Sequence, residues 1–391
     1  MLNEEETMVN VAIIGAGNIA PAHLAGYGLF PERCRIVALA DIYPDKAEKK
    51  KADFHLDAGV YDSHTELLKR HPEVQLVSIC TPPFTHASLA VDCMRAGKDV
   101  LVEKPMASSL AECDLMIQVA KETGRTLSVV AQNRFRTPIM NLKRTLDTGL
   151  AGPVVHAQVD SFWWRGHSYY DLWWRGTWEK EGGGCTLNHA VHHIDMLCWT
   201  LGKPSAVQAV MANTSHDNAE VEDLSVAILT YPGALAQITS STVHHGEEQQ
   251  LIFQCKNARI SAPWKVTASV SRPNGFPDPH PGLEAALTDA YRGFPDVVYE
   301  AHEGQIDNVL TALETGGQPL ISGEDGRTTI EVITAIYQAA STGVAVRLPL
   351  VPGTPFYTRE GIMADAIHFY EKKSAVENFA DEAITTGGKY K

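Results

Sequence analysis

The sequence predicts an α/β protein in two parts, a doubly wound parallel sheet followed by an α+β domain with an antiparallel or mixed sheet. Three observations carry this. Short apolar, β-branched runs alternate with helix-spaced segments from residue 9 to about 130. A glycine-rich turn joins the first strand to the first helix. Beyond about residue 150, strand patterns follow one another with few helices between them. The length of 391 residues, about twice or more that of a compact domain, fits two domains. The boundary is expected to divide 1–130 from 131–391.

Val9–Ile14 is the first strand, followed by Gly15-Ala16-Gly17-Asn18-Ile19-Ala20 and a helix to about Phe30. Arg35–Ala40 is the second, closed by Asp41. Asp45–Lys51 and a segment ending at Leu67–Arg70 have helical patterning. Leu76–Cys80 forms the third strand, stopped by Thr81-Pro82-Pro83. Ala87–Ala96 is a helix ending at Gly97, and Asp99–Val102 is the fourth strand, halted by Glu103-Lys104-Pro105. Ser109–Gly124 and Thr126–Ala131 complete the alternation as helix and fifth strand. In the second part, Val154–Phe162, Ala206–Ala212, Leu224–Leu229, Leu235–Thr242 and Leu251–Cys255 have strand patterns around one helix, Thr186–Leu201. The Pro- and Gly-rich stretch 263–297 is expected to run over the surface or near the site. Helical spacing returns over Gln305–Thr315 and Thr328–Ser341, with a helix at 361–372 and a loose tail to follow.

Composition narrows the function. The net charge of −14 argues against a nucleic-acid partner, which would call for a basic face. No apolar run of about 18 residues occurs, so no membrane span is expected. The acidic start, MLNEEETMVN, does not resemble a secretory signal. Seven cysteines, none at CxxC spacing, read as reduced packing residues in a cytoplasmic protein.

The GxGxxA turn over residues 15–20 is a weak signal alone, but here it follows a strand and opens a helix in a βαβ unit. Gly15 permits the tight turn, Gly17 lets backbone approach a pyrophosphate, and Ala20 allows close helix–strand packing, so Gly15, Gly17, Asn18 and Ile19 are candidate dinucleotide contacts. Asp41, ending the second strand, stands where a carboxylate accepts from ribose hydroxyls and repels a 2′-phosphate. This favours NAD, with NADP possible because Lys46 and Lys49 are near. The turns Cys80–His86 and Glu103–Pro105 sit at the carboxyl ends of strands three and four, where such sheets bind ligands. They add Thr81, Pro82, His86, Glu103 and Lys104, and the Lys104 ammonium suits holding a substrate hydroxyl.

Residues 181–195, EGGGCTLNHAVHHID, enter a helix through glycines. Asn188 and His192, at i and i+4, share a face, and Asp195 follows His192 at i+3. Such a face suits a polyhydroxylated ligand, and imidazole suits alcohol–ketone chemistry near neutral pH. His189 and His193 are also i, i+4, but the cluster lacks HExxH and no metal is expected. Residues 162–178 hold five of the seven Trp, with Arg165 and Arg175. Most of those rings are expected to be core, with one or two touching substrate.

In order along the chain, GAGNIA, CTPPFTH, VEKPMA, AQNRF, Trp174-Arg175, EGGGCTLNHAVHHID and the late segment 301–343 resemble the Gfo/Idh/MocA oxidoreductases, relatives of glucose–fructose oxidoreductase and inositol dehydrogenase. The resemblance spans about residues 9 to 350. It implies an N-terminal Rossmann domain, a C-terminal substrate and oligomerisation domain with a large open-faced, mostly antiparallel sheet, and hydride exchange between NAD(P) and a sugar or cyclitol alcohol. By position it makes Lys104 and His192 catalytic, and places Asn188, Arg134, Trp163, Arg175 and His193 toward substrate. Asn133 and Arg175 fall toward the dinucleotide. Asn188 stands where many members carry Asp, which weakens any relay in which a carboxylate tunes the histidine. The resemblance also points to a homodimer or homotetramer joined through the C-terminal sheets. A glycoside-cleaving enzyme using transient ring oxidation and a non-catalytic dinucleotide sensor are the competing readings.

Overall fold

In the computed structural model, residues 8–373, 375–377, 379 and 390 are described; the acidic start and most of the expected tail lie outside them. Six parallel strands, β1 (Val9–Ile14), β2 (Cys34–Ala40), β3 (Gly59–Tyr61), β4 (Leu76–Ile79), β5 (Asp99–Val102) and β6 (Leu127–Val129), form the first sheet in the order β3-β2-β1-β4-β5-β6. This is the doubly wound Rossmann order, whose direction of winding reverses between β1 and β4. Helices cover both faces, so β4 is buried along its whole length and reads as an uninterrupted apolar run apart from Ser78. β3 escapes sequence reading because three half-buried residues carry no period.

The second sheet has nine strands: β7 (Val154–Phe162), β8 (Ala206–Ala212), β9 (Leu224–Tyr231), β10 (Ala234–Ser241), β11 (Gln249–Cys255), β12 (Ala258–Ala262), β13 (Lys265–Ser271), β14 (Pro277–Pro279) and β15 (Val346–Arg347). Their order is β14-β13-β12-β11-β7-β10-β9-β8-β15, and every neighbouring pair is antiparallel except β7 with β10. One face carries the helices Val191–Leu201 and Gly323–Thr342, whose apolar side chains join those of β7 to β10 in one core. The other face exposes Val210, Val226, Ile228 and Leu235.

Several expectations change. The stretch 263–297 is not a bare excursion: it holds β13, β14 and the helix Pro281–Gly293, whose N-terminus is capped by the His280 ring accepting from the Leu283 amide. The final helix runs Arg359–Asp365, shorter than 361–372. The late helices are longer at their starts, Ala301–Thr315 and Gly323–Thr342, and both return to the first sheet. Ile306, Val309 and Leu310 pack with Val9, Val11, Leu24 and Tyr27. Gly326 lies so close to β6 that a Cβ there would stand 2.7 Å from Val129 Cγ2. No helix among the described residues is long and apolar enough to cross a membrane.

Candidate active site

A cleft of about 800 Å³ opens over the carboxyl ends of β1, β4 and β5 and is closed on the far side by residues 163–192. Its floor at one end is the glycine-rich turn. Gly15 has φ +97°, and a Cβ there would meet the Cys80 carbonyl carbon at 2.7 Å, so both the backbone angle and the approach to β4 demand glycine. Nothing lies within 4 Å of a Cβ built on Gly17, which leaves room over the start of the helix Ala20–Gly28. The Ala20 and Ala22 amides donate to the Gly17 and Ile19 carbonyls and position 21 is proline, so an anion here would meet the turn ahead of the helix and not the helix's own first amides. Asp41 Oδ2 accepts from the Ala16 amide at 2.6 Å and Oδ1 from the Tyr43 amide at 2.8 Å. The carboxylate therefore braces the turn, while its remaining acceptor positions face the cleft it lines. This cradle, with its open Gly17, fits a dinucleotide. Thr81, Pro82, Asn18, Ile19 and Asn133 line the same cleft.

Lys104 reaches into the middle, where Nζ donates to the Asn188 carbonyl at 3.2 Å. Burial pushes its ammonium below the ordinary lysine pKa, and the nearby Arg175 adds to this against the carboxylates Glu103 and Glu181. Beneath it, the Lys104 amide donates to Glu103 Oε2 at 3.2 Å. Glu103 Oε1 accepts from His23 Nε2 at 2.9 Å and His302 Nε2 at 3.1 Å. Burial alone would raise the Glu103 carboxyl, but these two histidines hold it well below the usual range. Burial opposes a charged His23, yet its Cys80 and Glu103 neighbours raise it to about 9. Glu103 thus positions Lys104 through the backbone.

The helix expected over 186–201 is broken into Cys185–Asn188 and Val191–Leu201. The break leaves Asn188, His189 and His192 all lining the cleft. Glycine is required at 184, where a Cβ would sit 1.9 Å from the Glu222 carbonyl oxygen. Asn188 Nδ2 is spent on the Gly183 and Gly184 carbonyls, at 2.9 and 3.3 Å, so its Oδ1 is the part left for a ligand. His192 is buried beside Lys104 and His193. Burial first, then the Lys104 charge, puts its pKa well below the ordinary histidine value, so it is a neutral imidazole at pH 7.

The far wall is aromatic and basic. Trp163, Tyr169, Trp173, Trp174, Arg165 and Arg175 line the cleft, with the Arg175 guanidinium 4.1 and 4.2 Å from the centroids of Tyr169 and Trp174. Arg175 also donates to Glu181 at 2.9 Å, and Arg165 pairs with Glu247 at 2.5 Å. Trp178, by contrast, is core, stacked edge-on against Tyr337.

Three expected contacts do not face the cleft. His86 is buried between the Thr81 and Pro105 carbonyls, 2.8 Å from each, and ties the two turns together. Arg134 is buried in a bidentate pair with Asp195 at 2.7 and 2.8 Å, and it also bonds Asp325. His193 does not line the cleft and bonds the Tyr390 hydroxyl at 2.8 Å. The cleft adds residues that the sequence did not single out as contacts: Tyr169, His189, His302, Glu377 and Phe379. Tyr169, His189 and His302 were visible inside the segments already singled out, whereas nothing local marks Glu377 or Phe379, which arrive from the distant end of the chain.

Residues 9–131 match the model of an oxidoreductase family with an NAD-binding Rossmann fold, GFO_IDH_MocA, and residues 139–261 match the C-terminal domain model of that family. An inositol 2-dehydrogenase of Rhizobium meliloti is 25% identical over 339 residues, 85% of this chain and 97% of its own. The WlbA dehydrogenase from Bordetella pertussis, solved with NADH and UDP-GlcNAcA, superposes with a TM-score of 0.76 at 27% identity, covering 88% of this chain and 99% of its own. An aldose-aldose oxidoreductase from Caulobacter crescentus, solved with glycerol, gives 0.71 at 25% identity, covering 87% and 100%.

Proposed function

This chain belongs to the Gfo/Idh/MocA oxidoreductases, an NAD-binding family, and we propose that it transfers a hydride between nicotinamide and a secondary alcohol of a sugar, glycoside or cyclitol. One observation carries the reading: Lys104, Asn188 and His192 converge in the same cleft as the open glycine turn and Asp41. Its relatives act on the same chemistry, an inositol in one case and an aldose in another by their names. The nicotinamide, when bound, supplies the hydride acceptor. Gly15, Gly17, Asn18 and Ile19 would hold its pyrophosphate end and Asp41 the ribose, while Thr81, Pro82, Glu103 and Asn133 would border the rest.

The chain's own residues handle the proton. Lys104, with its pKa lowered by burial, holds the substrate hydroxyl. His192, neutral at pH 7, accepts the hydroxyl proton as the carbinol hydrogen leaves. Asn188 Oδ1 accepts from a neighbouring hydroxyl, and Trp163 and Arg175 bound the ring. The division at 130/131 into a dinucleotide unit and a substrate unit belongs to this reading, with the helix Ala301–Thr315 crossing back to seal the first unit. The seven free, buried cysteines support a reducing, cytoplasmic setting. The exposed apolar face of the second sheet supports a homo-oligomer joined there.

The experiment is a dehydrogenase screen of NAD and NADP against pyranoses, glycosides, inositols and uronates, followed by NADH absorbance. NAD-dependent turnover on a polyol is expected. Failure on the whole panel, with dinucleotide binding intact, would overturn the dehydrogenase reading; release of the aglycone from a glycoside without net NADH would then mark a glycoside-cleaving enzyme, and no turnover of any kind a sensor.

A further inference from the structure

Three arginines line the cleft, and two of them are already paired: Arg175 donates to Glu181 at 2.9 Å and Arg165 to Glu247 at 2.5 Å. Arg136 is the third. It follows β6 and the turn Gln132–Phe135 and stands directly before the helix Thr137–Asp147. Its carbonyl accepts from the Ile139 and Met140 amides, which pins its backbone to the helix start. Its Nε donates to Asn133 Oδ1 at 3.1 Å, and Asn133 is buried, so the guanidinium is held in one orientation. Neither Nη atom meets an acceptor among the described residues, and neither is among the sealed polar atoms. Four N–H donors and a full positive charge are therefore left open on the cleft wall. Glu300 approaches from the other side of Thr137, but its carboxylate serves the Thr137 amide at 3.1 Å and makes no ion pair with Arg136.

The strand order places this charge. In β1-β4-β5-β6, three strand spacings, about 14 Å at ~4.8 Å each, separate β6 from the glycine-rich turn after β1. Arg136 thus belongs to the opposite end of the cleft from that turn, on the strand beside the one that carries Lys104. We propose that Arg136 is a specificity residue that takes a carboxylate of the substrate, so that the polyol handled here is a uronate or a related sugar acid. The inference rests on the dehydrogenase reading above and names its substrate class. The planar guanidinium fork matches a carboxylate with two parallel N–H···O bonds. A phosphate monoester, with a charge of about −1.5 to −2, asks for more donors than this place holds. The Ile139 and Met140 amides are spent on the Arg136 carbonyl, the Thr137 amide is spent on Glu300, and Pro138 has none. One guanidinium offsets one carboxylate. Arg165 and Arg175, each offset by its own glutamate, leave the aromatic wall to the uncharged part of the ring.

The test compares aldoses with the uronates and the 6-phosphates of the same ring configuration. Binding to the NADH-bound protein is read by calorimetry, and NAD-dependent turnover by NADH absorbance. The uronate is expected to exceed its neutral aldose in both affinity and kcat/KM. Arg136→Gln should lower the uronate-to-aldose ratio of kcat/KM by about 10- to 100-fold, mostly through KM, the range of a hydrogen bond to a charged group. Arg136→Lys keeps the charge, loses the fork and should fall between the two. A wild type that takes every neutral aldose as well as its uronate, or a ratio unchanged in Arg136→Gln, overturns the proposal and leaves the dehydrogenase reading standing. A 6-phosphate preferred over the uronate overturns the carboxylate. So does NADH affinity lost in Arg136→Gln to the same extent as uronate affinity, which would assign the guanidinium to the cofactor. Uronate binding that depends on Arg136, in a protein that passes no hydride to or from any polyol, would instead overturn the dehydrogenase reading and leave this one standing.

Discussion

Lys104 and His192 reach the cleft from different parts of the chain, and each has burial as the first cause of a lowered pKa. Proton affinity so tuned acts in the transition state more than in binding. Lys104→Ala and His192→Ala should each lower kcat by roughly 10²–10⁴-fold, the usual size of an acid–base contribution. Dinucleotide affinity, read by protein fluorescence, should stay near wild type in His192→Ala. Near-normal kcat in either variant removes that residue from the mechanism. Asp41 braces the turn through the Ala16 and Tyr43 amides, and in the proposed function it also presents a negative charge toward the position of a 2′-phosphate. Asp41→Ser should raise the NADP-to-NAD ratio of kcat/KM by about tenfold or more, equivalent to about 1.4 kcal/mol or more. It should also weaken NAD itself, because both backbone amides lose their acceptor. A wild-type enzyme that already prefers NADP contradicts this account.

Among the elements, the break at His189-Ala190 decides the site. An unbroken helix over 186–201 would hold Asn188 and His192 a single turn apart; the two-piece helix turns His189 toward the cleft as well, against Trp163 and Tyr169. The pieces are seated by the glycines before them, since Gly184 rides directly on the Glu222 backbone. Gly184→Ala should therefore cost about 1–3 kcal/mol or more by overpacking and lower kcat by displacing Asn188. Urea midpoint and kcat should fall together; an unchanged midpoint would show that this contact yields without strain. The expected helix was misjudged because its periodicity is sound on both sides of the break, which shows only in the backbone, where the His189 and Ala190 amides both donate to the Cys185 carbonyl.

For the whole molecule, buried histidines set the acid limit. Burial holds His193 down to about 3 and His189 and His192 well below the ordinary value. A histidine kept neutral in the fold contributes its full stability above its unfolded pKa of about 6.5, and that contribution is lost as pH falls toward the folded value. His23 has the opposite sign: raised to about 9, its contribution is complete below about 6.5 and fades as pH climbs through 9. Stability should peak near neutral pH. Moving from pH 7 to 5 should cost on the order of 2 kcal/mol for His193 alone, and His193→Gln should flatten that slope in urea melts. The sheet face makes a second prediction at this scale. Val210 is 67% and Leu235 51% exposed, on strands that would otherwise present this surface to water. Sedimentation at micromolar concentration should report a dimer or larger, and Leu235→Asp should shift it toward the 42.7 kDa chain. A wild-type monomer would remove the oligomer from the account. By itself the sequence determined the βαβ order and the glycine-rich turn, and it singled out Asp41, Lys104, Asn188 and His192, which line the cleft, because each of these depends on local period, a glycine or a neighbour within one turn. Only the tertiary structure decided that Arg134 and His193 do not line the cleft and that His302 comes back to Glu103. Those facts depend on how helices 301–315 and 323–342 pack onto the first sheet, and contacts between residues far apart in the chain leave no periodic trace along it.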